Sequence, residues 1–298
     1  MKVLLLGGSG ILGSAVRQSL HNSRIEFTAP SSTQLNIKDF TNVKDFLTNS
    51  SPDWIINCAA YTNVEESETS NECMEVNASA VGNLAYLAKK NQAKLVHIST
   101  DYVFNGEKTI PYCEADETNP LNQYGFSKHK GELEINSIYP DGSYIVRTSW
   151  LYGPRGKNFV RTFAELSINH RSAQVIDDQE GTPTYSLDLA EGLIKLLRIR
   201  PDYGTYHFSN SGKTTWFGLA KEIYSLLGSD PGLITPISSN EWRRGASVQR
   251  PPYSILCNCK WKSSGLGTPP AWRESLMRAL PEIKELYEME LKHERNPT

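Results

Sequence analysis

Lys2-Val3-Leu4-Leu5-Leu6-Gly7-Gly8-Ser9-Gly10-Ile11-Leu12-Gly13 stands at the head of the chain. Its aliphatic residues run without alternation into glycine, the pattern of a strand buried on both faces. Ile11 to Leu20 reads as a helix. Between strand and helix, Gly7, Gly10 and Gly13 have the spacing GxxGxxG. The first glycine permits a tight turn, the second lets backbone approach a pyrophosphate, and the third lets helix and strand pack closely. A helix N-terminus offers unpaired N–H groups to phosphates. In this strand–turn–helix setting the pattern points to a dinucleotide loop, with Gly7, Gly10, Ile11, Leu12 and Gly13 at the cofactor.

Further along, strands are expected at 24–28, 53–57, 94–99 and 144–147, with helices at 36–48, 72–91 and 124–136. Regular alternation argues an α/β fold, a Rossmann-type doubly wound parallel sheet. After Trp150 prolines and tryptophans become frequent and the alternation weakens. Helices are expected at 188–199 and 271–291 and a strand at 204–209; 231–270 reads as irregular. The organisation expected is a dinucleotide-binding domain over 1–150, taking back about 183–210 and part of 245–260, with the rest of 151–298 a smaller, discontinuous substrate domain. The chain shows no internal repeat.

The chain has 298 residues and a formal charge of -2, which gives no reason to expect a nucleic-acid partner or an acidic membrane surface. The short basic cluster Trp242-Arg243-Arg244 does not change that balance. Five cysteines, Cys58, Cys73, Cys113, Cys257 and Cys259, have no repeating spacing, and Cys257-Asn258-Cys259 lacks the two-residue gap and partner pair of a zinc site. Reduced thiols are expected. No apolar run approaches the length of a membrane span, and residues 1–7 lead straight into the strand. A cytoplasmic protein is expected.

Tyr124-Gly125-Phe126-Ser127-Lys128 places a phenol and an ammonium on one face of a helix, one turn apart. An ammonium there favours the phenolate and makes the tyrosine a better proton donor and acceptor. His97-Ile98-Ser99-Thr100 ends a buried strand, and strand carboxyl ends face the ligand crevice in such sheets. Thr100, Tyr124 and Lys128 therefore form a candidate catalytic set. NAD sites commonly carry an acid at the end of the second strand. Here that region reads Phe27-Thr28-Ala29-Pro30-Ser31-Ser32, with Glu26 inside the strand. Ser31 can donate to a 2′-phosphate, and no arginine clamp is visible. NADPH is favoured, with NADH also usable.

The motifs GGSGILGSAV, INCAAYTNVEESE, VNASAVGNLA, HISTDYVFNG, YGFSKHKGE, VRTSWLYG, DDQEGTPTY and RPPYSILCNCK occur in the order found in dTDP-4-dehydrorhamnose reductases. The chain resembles that family from Lys2 to about Leu280. The resemblance implies NADPH-dependent reduction of the C4 keto group of dTDP-4-dehydro-L-rhamnose to dTDP-L-rhamnose, the last step in making that activated sugar. Tyr124 would donate the proton, Lys128 would hold the nicotinamide ribose and lower the Tyr124 pKa, and Thr100 would bond the reacting oxygen. It also implies that Asn36 and Ile37 lie near the adenine and that Ala59, Ala60 and Tyr61 line the cofactor. Thr62, Val64, Asp101, Tyr102 and Trp150 would contact the sugar, and Asn158 and Arg250 the nucleotide diphosphate.

The chain departs from the family pattern at Cys58, Asn36 and Cys257-Asn258-Cys259 without losing a catalytic group. Glu65, Glu66 and Glu68 give no reason to place a metal, and no active-site metal is expected. Either a monomer or a homodimer fits. Two other readings remain open: a reductase or epimerase of another nucleotide-linked keto sugar, and a non-catalytic NADP-binding regulatory subunit like the methionine adenosyltransferase beta subunit, which resembles the same family.

Overall fold

A computed structural model describes residues 1–242 and 248–295; Arg243 and Arg244 of the basic cluster, and 245–247 of the segment expected to rejoin the first domain, lie outside them. Five strands, β1 (Lys2–Leu6), β2 (Glu26–Thr28), β3 (Trp54–Asn57), β4 (Lys94–Thr100) and β5 (Ser143–Thr148), join the strand Gly204–His207 in one sheet. The order is Gly204–His207, β5, β4, β3, β1, β2, and every pairing is parallel. The chain leaves β1 toward β2 on one side and returns to β3 on the other. This reversal opens a crevice at the carboxyl ends of β1 and β3.

The unbroken apolar run of β1 follows from burial on both faces. Val3 and Leu5 face a core with Leu12 and Val16 of α1 (Ile11–Asn22) and Leu189 and Leu193 of the helix Ser186–Ile199. Leu4 and Leu6 face the opposite core, with Val43 and Leu47 of α2 (Phe40–Ser50). A third core lies apart from the sheet and gathers Phe163, Leu219, Ile223, Leu276 and Leu280. Among its elements, Ala173–Ile176 and Ile234–Ile237 pair as a parallel two-stranded ribbon.

The helix expected from residue 36 starts at Phe40, where Asp39 caps it by accepting from Asn42 N at 3.0 Å. The helix expected over 72–91 is divided into α3 (Glu72–Met74), a π-helical turn (Glu75–Ser79) and α4 (Ala80–Lys90). The wide turn lies against α5 (Gln123–Ile138), where a Cβ on Gly131 would fall 2.1 Å from Asn77 O. The segment expected to be irregular contains the strand Ile234–Ile237. Pro236 is tolerated because the ribbon has only edges.

The expectation of reduced thiols holds for Cys58, Cys73 and Cys113 and fails for Cys257 and Cys259, which are joined as a disulfide. The Asn258 side chain between them accepts from Ser209 N at 3.0 Å and donates to Ser209 O at 2.9 Å.

Candidate active site

A cavity of about 560 Å³ opens at the carboxyl end of the sheet. One wall is the glycine loop. Gly10 caps α1 without a side-chain hydrogen bond, which leaves first-turn N–H groups of α1 free to meet an anion. A Cβ on Gly13 would fall 2.0 Å from Gly7 O, so only glycine allows the loop to lie this close to the helix. Gly10, Ile11, Leu12 and Gly13 line the cavity, with Ala60 opposite. This chemistry fits a dinucleotide.

The candidate catalytic groups form the next wall. Thr100 ends β4, and Tyr124 and Lys128 project from the first turns of α5, whose cap Asn122 accepts from Gly125 N at 2.8 Å. All three line the cavity. The Thr100 hydroxyl donates to Asp101 Oδ1 at 3.1 Å. Burial pushes the Tyr124 phenol up to about 12, opposed by a hydrogen bond with Thr100. The expected lowering of this phenol by Lys128 is not found. Lys128 Nζ is turned to the sheet instead, donating to Ile98 O at 2.6 Å and lying 3.2 Å from His97 Nε2. Burial brings Lys128 down to about 8, against the opposing charges of Glu132 and Cys58. Burial also raises the Asp101 carboxyl to about 7.

Two links hold α5 in place. Asn77, in the π-helical turn, accepts from Tyr61 N and donates to Tyr61 O, both at 2.9 Å, and also donates to Ser127 Oγ at 3.0 Å. It thereby ties the loop after β3 to the turn of helix between Tyr124 and Lys128. Deeper in, Arg147 of β5 grips Glu132 through Nη2 at 2.6 Å and Nε at 2.9 Å.

Thr62, Val64, Asp101, Tyr102 and Trp150 line the same cavity. Trp150 has φ 44°, a left-handed backbone that is uncommon for a bulky residue. Its ring is held between Gly181, where a Cβ would fall 2.3 Å from Cε2, and the parallel ring of Trp216. Asn158 also lines the cavity, but its side chain is engaged as a helix cap, accepting from Arg161 N at 3.0 Å and donating to Gly153 O at 2.8 Å.

The other candidates lie outside the cavity wall. Gly7 O accepts from Gly10 N at 3.1 Å, and Ala59 N donates to Asn57 Oδ1 at 3.1 Å. Tyr61 is engaged by Asn77. Ser31 and Asn36 are exposed beyond β2, and Ile37 packs at the edge of the core beside α2. Arg250 pairs with Glu65 at 2.9 Å beside a separate small cavity.

Sequence reasoning missed Asn57, His97, Asn77 and Trp216, whose neighbours are remote in sequence. It also passed over Arg17. A Cβ placed on Gly8 would lie 3.2 Å from Ala29 Cβ and 3.3 Å from Arg17 Cδ, so the stem of Arg17 on α1 and the residue after β2 both approach the glycine loop. The spacing of an arginine on α1 carries no signal of this by itself. Among the described residues no group of three or more His, Cys, Asp or Glu is placed to hold a metal ion, and no helix is long and apolar enough to cross a membrane.

A parallel sheet with a glycine cradle at its switch point and a Thr–Tyr–Lys set beside it defines a short-chain dehydrogenase/reductase. The chain belongs to the RmlD substrate binding domain family, whose model matches residues 1–285. It is 38% identical over 285 residues to a dTDP-4-dehydrorhamnose reductase of Streptomyces griseus, covering 94% of this chain and 93% of that one. It is 36% identical over 279 residues to a dTDP-4-keto-6-deoxy-D-glucose reductase of Streptomyces niveus, covering 93% and 96%. Among solved structures, the dTDP-4-dehydrorhamnose reductase of Bacillus anthracis in complex with NADP superposes with a TM-score of 0.90 at 36% identity, covering 94% of this chain and 99% of that one.

Proposed function

We propose that this protein is an NADPH-dependent reductase of dTDP-4-dehydro-L-rhamnose, giving dTDP-L-rhamnose. The observation that carries the reading is the convergence of Thr100, Tyr124 and Lys128 on a cavity bounded on one side by the glycine cradle and on another by Trp150. When bound, the dihydronicotinamide supplies a hydride to the C4 carbonyl. Tyr124 Oη gives its proton to the carbonyl oxygen, so that the C=O bond becomes CH–OH and the phenol becomes a phenolate. Thr100 bonds the same oxygen and steadies its developing charge. Lys128 holds the ribose. Burial, which keeps Tyr124 protonated, suits an acid in the reductive direction.

The family resemblance supports further roles. Ser31, Asn36 and Ile37 take the adenosine end, with Arg17 as the cation for a 2′-phosphate. Ala59, Ala60 and Tyr61 flank the cofactor. Trp150 offers an aromatic face to the sugar, while Thr62, Val64, Asp101 and Tyr102 set its orientation. Arg250 and Asn158 meet the diphosphate, Arg250 by exchanging its Glu65 partner. Residues 1–150, with about 183–210 and part of 245–260, form the dinucleotide unit, as the packing of Leu189 and Leu193 against β1 supports, and the third core carries the sugar-nucleotide unit. The protein works in the cytoplasm, as a monomer or homodimer.

A second reading, reduction of another dTDP-linked keto sugar, is favoured by the similarity to the Streptomyces niveus enzyme. Purified protein is given NADPH and dTDP-4-dehydro-L-rhamnose made in situ from dTDP-glucose by a dehydratase and a 3,5-epimerase. Oxidation of NADPH with dTDP-L-rhamnose as product supports the first reading. Oxidation only when the epimerase is omitted supports the second. NADPH binding without oxidation of either sugar points to a regulatory subunit.

A further inference from the structure

His97 and Asn57 are fully buried behind Lys128, and neither has a part in the chemistry above. Ala59 N donates to Asn57 Oδ1, which fixes the amide so that its Nδ2 faces His97 Nδ1 at 3.1 Å. An amide nitrogen only donates, so His97 Nδ1 accepts. A neutral imidazole then carries its proton on Nε2. That nitrogen lies 3.2 Å from Lys128 Nζ. An imidazole N–H facing an ammonium sets donor against donor. The same N–H facing an amine is a hydrogen bond. The bond from Nζ to Ile98 O is open to both forms of the lysine.

We propose that Asn57 and His97 are a positioning pair for Lys128: Asn57 holds His97 as the Nε2–H tautomer, and His97 supports the amine form of Lys128 over the ammonium. Its catalytic consequence rests on the reductase reading; the tautomer does not. Each reduction leaves Tyr124 as a phenolate that must recover a proton. A lysine with lowered proton affinity yields one more readily, and the amine left behind accepts from His97 until solvent restores the ammonium. The groups acting on Lys128 are Glu132 on α5, Cys58 after β3 and His97 on β4, and Tyr124 lines the same cavity. Arg147 of β5 is held by Glu132. Burial pushes His97 well down, with the Lys128 charge acting in the same direction, so the ring stays neutral.

The test is the long-range proton–nitrogen spectrum of the histidine rings in the full chain, with His97→Gln to assign the signal. A neutral ring protonated on Nε2 from about pH 6 to about pH 9 is expected. A ring protonated on Nδ1, or a charged ring, overturns the proposal. Asn57→Asp gives a carboxylate that accepts from both Ala59 N and His97 Nδ1–H, reversing the tautomer. The alkaline limb of kcat/KM then moves up by about one pH unit. His97→Gln, whose amide oxygen can accept from the ammonium, moves it the same way and serves if Asn57→Asp does not fold. An unmoved limb overturns the proposal. Absence of sugar reduction with the stated tautomer present defeats the reductase reading and leaves the pair standing.

Discussion

The indole rings of Trp150 and Trp216 lie parallel with centroids 3.5 Å apart, although Trp150 follows β5 and Trp216 begins the helix Trp216–Leu226 in the third core. Phe159 packs against Trp216 at 4.6 Å and continues the wall. The pair holds Trp150 in its left-handed conformation and so sets one limit of the cavity. Trp216→Ala removes the backing of that ring. A rise of roughly fivefold in KM for the sugar nucleotide is expected, with a smaller change in kcat, since such stacking contributes about 1 kcal/mol beyond burial. Steady-state kinetics check it, and an unchanged KM would argue against Trp150 as the sugar wall.

Tyr124→Phe keeps the ring and deletes the proton. Turnover should fall by about two to four orders of magnitude. NADPH binding, followed by the quenching of protein fluorescence, should remain. Retained turnover would remove Tyr124 from the proton-donor role.

Gly13→Ala places a methyl group against the Gly7 carbonyl, which is backbone and cannot yield. The loop must move away from α1, and cofactor binding should weaken by at least about a hundredfold, in keeping with the sensitivity of a positioned site to small displacements. Calorimetric titration with NADPH measures it; unaltered affinity would mean the loop does not seat the pyrophosphate.

Arg17→Ala tests the choice of coenzyme. One charge-assisted contact to a phosphate contributes about 1.5 to 3 kcal/mol. The Kd for NADPH should rise about tenfold or more, while that for NADH stays within about twofold. Equal loss for both would assign Arg17 to the fold rather than to the 2′-phosphate.

Asp101 gives a pH dependence with a definite sign. Its folded-state pKa is raised by burial from 3.8 to about 7, so between those values the folded protein binds a proton that the unfolded chain has released. The contribution of Asp101 to stability therefore falls as pH rises through that window. Asp101→Asn cannot ionise. Relative to the native protein, it should gain stability from pH 4 to pH 8 in urea unfolding. A constant difference across that range would count against the raised carboxyl.

Much of the sheet is legible in the sequence because its signal is local. The aliphatic run before Gly7 and the alternation through Arg147 need only buried strands and amphipathic helices, and these were found within a few residues. The candidate site is less evenly legible. Thr100, Tyr124 and Lys128 fall at marked places, a strand end and one helix face. Trp216 and Asn77 carry no local mark, and their contacts bridge separate elements. The expected lowering of Tyr124 by Lys128 fails for a related reason. Spacing puts two side chains on one face but does not reveal that the lysine has a carbonyl and an imidazole nearer to hand.

The short strand β2 forms the outer edge of the sheet, whereas Asn57 and His97 sit side by side in its middle. On the proposed reading, coenzyme choice belongs to the edge of the scaffold and sugar chemistry to its middle. A substitution at the end of β2 or at Arg17 then acts on the coenzyme without passing through the strands that carry Thr100 and back Lys128, so the two properties can be altered one at a time.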